Sequence, residues 1–120
     1  MRIFESFIPT LVQNKLRDKF VLHLAVAEPK GAVLSDLNLV DAKNCSPREL
    51  TARLIENKGA MTLEIEPITL TASDKVGPFK YLVIANGSTI IGYQERKETT
   101  LDANDKLTVT FNNPVLTIGI

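Results

Sequence analysis

The chain has 120 residues, 44% hydrophobic and 23% charged, and its 14 basic and 14 acidic side chains leave no formal net charge at pH 7. That length suits one domain with a core of its own, and the balanced charge lacks the basic footprint of a nucleic-acid binder. The single cysteine, Cys45, excludes an intrachain disulfide, while no apolar run is long enough for a signal peptide or a membrane span, so cytoplasmic synthesis is expected.

Phe4, Phe7, Ile8, Leu11, Val12, Leu16 and Phe20 recur at a helical spacing that Pro9 interrupts. Thr10 and Gln13 have the form of a capping box, which predicts a short helix from about Leu11 to Lys19. Residues 1–20 are therefore read as an arm with a short helix, and residues 20–120 as a β-domain. Phe4, Phe7 and Ile8 have no evident burial partner within the chain and are candidate contacts to another subunit.

The run from Phe20 to Val26 alternates as a strand, with Phe20, Leu22, Leu24 and Val26 inward and Val21, His23 and Ala25 on the other face. His23 is the only histidine. A general base needs an oriented partner and a nucleophile in reach, and the sequence announces neither, so His23 is given no catalytic role. From Gly31 to Pro47 the apolar residues follow neither strand nor helix period, which predicts a surface excursion with a short strand or turn near Ala32 to Leu34. Val33, Leu34, Leu37 and Leu39 are further interface candidates. Cys45 lacks a cationic neighbourhood and is read as an inert thiol.

Residues from Glu49 to Glu56 and from Met61 to Glu66 alternate on either side of Asn57-Lys58-Gly59, predicting a hairpin with one wet face. Pro67 cannot donate to a ladder, so either the pairing is interrupted there or the residue lies on an edge, before Ile68 to Thr71 resumes in extended form; a strand that bends there could pass from one sheet to the other. A second hairpin is predicted from Val76 to Tyr93 around Asn86-Gly87 in a type I′ turn. Its first strand places Phe79, Tyr81, Val83 and Ala85 on one face and Lys80, Leu82 and Ile84 on the other; both faces are expected to be covered. Gln94 to Glu98 reads as a solvated turn or exposed strand end. A turn at Asp102 to Asp105, a strand through Leu107, Val109 and Phe111, and a last strand from Val115 to Ile120 complete the chain.

No chemistry-bearing constellation emerges. The carboxylates, Cys45 and His23 show no zinc spacing, and Asp102-Ala103-Asn104-Asp105 lacks the glycine and the bidentate glutamate of a calcium loop. There is no phosphate-cradling glycine motif, and Asn86-Gly87-Ser88 matches a glycosylation acceptor by letter only. Neither catalytic residues, nor a metal, nor a cofactor, nor a small-molecule substrate is expected. Short strands separated by Gly, Pro, Asn and Asp turns predict a mainly β chain: a single-domain β-sandwich, Ig-like or jelly-roll-like, of about eight short strands with a short N-terminal helix.

Several stretches carry a resemblance. They are Val21-Leu22-His23-Leu24-Ala25-Val26-Ala27-Glu28-Pro29-Lys30-Gly31, the strand Val76 to Ile84, Ile90-Ile91-Gly92-Tyr93, Thr100 to Val109 and Val115-Leu116-Thr117-Ile118. In pattern and order, over nearly the full length, the chain resembles small virion structural proteins of tailed bacteriophages. It has Asn104-Asp105 where a Gly-Asp turn is often seen, and Ser46-Pro47-Arg48 in place of an aromatic-rich segment. The resemblance implies a non-enzymatic capsid decoration (cement) protein, made in the host cytoplasm and carried on the virion surface. Its partners would be the major capsid protein and copies of itself, as a dimer or trimer, with no nucleic acid, membrane or small molecule. The alternative is a tail or tail-fibre accessory or receptor-binding module; the absence of a repetitive shaft or heptads favours decoration.

Overall fold

The computed structural model describes residues 2–3, 19–31, 33–34, 37, 39–40, 45–57, 59–112 and 115–119. Among these the chain is mainly β, with ten strands and no helix: β1 (Arg2–Ile3), β2 (Phe20–Ala25), β3 (Arg48–Glu49), β4 (Ala52–Asn57), β5 (Ala60–Ile65), β6 (Ile68–Thr71), β7 (Val76–Asn86), β8 (Thr89–Leu101), β9 (Lys106–Val109) and β10 (Leu116–Gly119). All pairings between them are antiparallel. The helix predicted over residues 11–19 lies outside the described residues except for Lys19, which is exposed just before β2. Phe4, Phe7 and Ile8 also lie outside them.

Three sheets form, in the orders β1-β8-β7-β2-β3, β10-β5-β4 and β6-β9. Pro67, which has no amide to donate, stands exposed between β5 and β6, and the chain changes sheet there. Asn104 takes a φ of 72° in the turn before β9, a conformation that asparagine tolerates. That turn is closed by the Asp105 amide on the Asp102 carbonyl at 3.0 Å and by the Asp102 amide on the Asp105 carboxylate at 2.8 Å. It is held to the chain after β6 by the Asn104 amide on the Ala72 carbonyl at 2.7 Å.

β7 and β8 form the long central hairpin, but its turn is displaced by one residue from the expected one. Asn86 pairs with Thr89, leaving Gly87-Ser88 as the loop, and within it only Gly87 has a positive φ, 63°. Glycine at the first loop position is the type II′ pattern, so Asn86 closes the ladder and does not turn. β8 continues through the charged run to Leu101. Gln94 and Glu95 pair with Leu82 and Tyr81 of β7, and past the bulge pairing resumes at Thr99 with Phe79 and Leu101 with Val76.

Irregularities in this hairpin decide which core each side chain enters. Ala85 pairs with Ile90 and Ile84 with Gly92, leaving Ile91 as an extra residue. The shift lets Ile90 and Tyr93 share one face while Ile91 joins the opposite one. Lower down, Phe79 pairs with Thr99 and Tyr81 with Glu95, so Lys80 stands opposite Arg96, Lys97 and Glu98. Phe79 thereby packs with Leu82 and Ile84, whereas simple alternation assigned it to the face of Tyr81 and Val83.

The main core draws Leu22, Leu24, Leu82 and Ile84 from the first sheet, Leu63 and Ile65 from the second, and Leu70 and Val109 from the third. Each such side chain contributes about 1.5–3 kcal/mol when fully buried. Val26, expected inward, is 46% exposed because β2 ends at Ala25 and the chain bends away. Ala25, Tyr81, Val83, Ile90 and Tyr93 form a second cluster, on which Leu34, Leu37 and Leu39 pack.

Candidate functional site

The second cluster is covered by the segment whose periodicity was undecided. Val33 bridges Thr89 and the Leu34 amide donates to the Ser88 carbonyl at 3.0 Å, attaching one end to β8. Leu39 bridges Ala25 and the Val40 amide donates to the Leu24 carbonyl at 2.8 Å, attaching the other end to β2. Because β7 lies between β8 and β2, Val33 and Leu34 stand on one of its neighbours and Leu39 and Val40 on the other. Isolated bridges hold this cover, which explains why no strand period marks it.

A polar group sits at this cluster. The Tyr93 hydroxyl donates to the Glu28 carboxylate, and the Tyr81 and Tyr93 rings meet edge to face at a centroid distance of 5.9 Å. Burial, and after it the negative charges of Glu95 and Glu28, raise the Tyr81 hydroxyl above the ordinary tyrosine pKa. Sequence reading missed these residues. The available signal was two tyrosines on central strands, since a buried phenol usually needs a polar partner.

Beside Glu28 opens a cavity of about 490 Å³ lined by Ala27, Glu28, Pro29, Lys30, Gly31, Val33, Leu37 and Ile90. Of the interface candidates, Val33 and Leu37 line this cavity, and Val33 is 53% exposed. Leu34, Leu37 and Leu39 are half-buried against the chain's own cluster, which occupies much of their apolar surface internally. A second, shallower depression is lined by Lys80, Glu95, Arg96, Lys97 and Glu98. Here the Arg96 Nε donates to Thr99 Oγ1 at 3.3 Å, and that hydroxyl donates to the Lys97 carbonyl at 2.7 Å.

Cys45 is buried in the main core, whereas His23 alternates with Leu22 and Leu24 and so points to the other side of the sheet. The two are not brought together. Among the described residues, no group of three or more His, Cys, Asp or Glu is placed to hold a metal ion. Comparison of the chain with models of known protein families, with curated proteins and with solved structures returns no match.

Proposed function

We propose that this chain is a bacteriophage virion structural protein, a capsid decoration protein that binds the outer surface of the major capsid protein lattice together with copies of itself. The observation that carries the reading is an apolar pole at one end of the central sheet. Val33, 53% exposed, stands there beside Thr89, and the 490 Å³ cavity that it lines with Ala27, Leu37 and Ile90 has mainly apolar walls with Glu28 and Lys30 beside them. Apolar anchors with a polar rim are what docking on a protein surface uses. The pattern shared with virion proteins of tailed phages supplies the class of partner.

In this reading the five-stranded sheet is one leaf of a β-sandwich, and the two smaller sheets form the other, with the main core between them. The arm, with Phe4, Phe7 and Ile8, adds a second set of anchors. No step of catalysis, cofactor or small-molecule substrate enters; the working part is the surface.

The test is co-sedimentation of purified protein with empty heads, tails and complete particles. Binding to heads, reduced several-fold by Val33→Asp without loss of melting temperature, is the expected result. Protein that stays in the supernatant with all three, at every concentration tried, overturns the proposal. For the arm, Phe4→Ser and Phe7→Ser are cleaner than deletion, because Arg2 and Ile3 pair with Tyr93 and Gly92 of β8.

A further inference from the structure

We infer that Asn86 is a deamidation site that the fold keeps closed. Held in the ladder it is inert, and each opening of this end of the β7–β8 hairpin exposes it to one-way conversion into aspartate or isoaspartate. The inference goes beyond the virion reading and stands independently of it.

The reactivity is written in the sequence. A backbone nitrogen attacks the side-chain carbonyl of a preceding asparagine most readily when it belongs to glycine, because no Cβ shields it and the chain there turns freely. Asn86 is the only asparagine followed by glycine. Gly87 opens the two-residue loop with a φ of 63°, a conformation that favours glycine. The residue that lets the hairpin turn is thus the one that makes its neighbour labile.

The chemistry needs only water and hydroxide. The Gly87 nitrogen, its proton given up to hydroxide, bonds to Asn86 Cγ; the Cγ–Nδ2 bond breaks, and the leaving nitrogen takes a proton from water and departs as ammonia. Water then opens the five-membered imide ring. Hydrolysis at Cγ leaves aspartate, whereas hydrolysis at the main-chain carbonyl leaves isoaspartate, with an extra carbon in the backbone.

The fold opposes each part of this. Asn86 is 8% exposed. It is held from both sides, opposite Phe20 of β2 and Thr89 of β8. The loop beyond it is anchored as well, since the Leu34 amide donates to the Ser88 carbonyl at 3.0 Å and Val33 bridges Thr89. The ring contains Asn86 Cβ and the Gly87 nitrogen, so it closes only when these two eclipse across the Cα–C bond. Extended backbone holds them far apart in that rotation. Reaching the ring swings the Asn86 carbonyl away from Thr89, and conversion therefore follows the fraction of molecules in which this end of the hairpin is open. The product does not fit back, because it brings a carboxylate, or a lengthened backbone, to a buried place between two strands.

The test incubates wild-type protein at mildly alkaline pH, folded or in urea, and follows the asparagines by peptide mass spectrometry. Asn112, exposed in the folded chain and followed by another asparagine, reports what urea does to the chemistry itself. Relative to Asn112, Asn86 should convert at least tenfold more slowly in the folded protein than in urea, which corresponds to an opening free energy of about 1.4 kcal/mol or more. In urea, Gly87→Ala should slow Asn86 several-fold and leave Asn112 unchanged, and isoaspartate should appear beside aspartate at position 86. Asn86→Asp should melt below wild type. An Asn86-to-Asn112 ratio that is the same folded and in urea overturns the protection, and aspartate without isoaspartate overturns the ring route. An Asn86→Asp variant that melts with wild type overturns the one-way character.

Discussion

The Tyr93 hydroxyl donates a hydrogen bond to the Glu28 carboxylate, tying the middle of β8 to the stretch that follows β2. Tyr93→Phe keeps the ring and its edge contact with Tyr81 but removes the donor. Loss of a hydrogen bond to a charged group costs about 1.5–3 kcal/mol, and the exposed Glu28 can rehydrate, so the low end of that range is expected in urea denaturation. An unchanged midpoint would show that the bond adds nothing to stability.

The two tyrosines of the chain are Tyr81 and Tyr93, so a Tyr93→Phe background reports Tyr81 alone. Its hydroxyl is raised by burial first, then by Glu95 and Glu28. A raised folded value means the contribution to stability is intact below the unfolded value of about 10 and is lost as pH climbs through the higher folded value. Tyrosinate absorbance should therefore develop at higher pH in folded than in denatured protein. Glu95→Gln, by removing one negative neighbour, should move the folded midpoint down.

Gly77 and Gly31 should respond oppositely to alanine. At Gly77 the φ is 115°, and an added Cβ would meet the Thr99 carbonyl oxygen at 2.8 Å. Strain of this kind costs about 1–3 kcal/mol. At Gly31 nothing lies within 4 Å of the added carbon, and Gly31→Ala should fall within about 0.5 kcal/mol of wild type. Paired thermal melts decide it.

Phe79 is fully buried in the main core, and Phe79→Ala should cost about 3–5 kcal/mol, as large aromatic truncations do. Val26→Ala should cost little, because Val26 is half exposed. Val83→Asp and Phe111→Asp place a charge in the second and main clusters respectively and should abolish soluble folding. A melt within a degree or two of wild type for either aspartate variant would remove that residue from its cluster.

Local chemistry was legible where one residue decides the outcome. Pro67 marks the change of sheet, the Asp102 to Asp105 turn stands where composition places it, and Leu22, Leu24, Leu63 and Ile65 lie inward as alternation requires. What escaped reading depends on partners distant in sequence. The loop at Gly87-Ser88 is set by the pairing of Asn86 with Thr89, the side taken by Phe79 by the residues that bulge opposite Lys80, and the cover at residues 33–40 by single bridges to two separate strands. The charged run after Tyr93 read equally as solvated turn or exposed strand end, and only its pairing with β7 selects the strand, because a bulged, exposed strand needs no apolar period. Glu28 and Tyr93, 65 positions apart, share no motif; only folding makes them neighbours.

Lys80 opposite Arg96, Lys97 and Glu98 also bears on how far assembly can proceed. A molecule whose flanks both accepted a neighbour's backbone would polymerise into an endless ribbon. Here the bowed, charged stretch of β8 offers a neighbour's strand no regular row of backbone partners, which closes that route of growth.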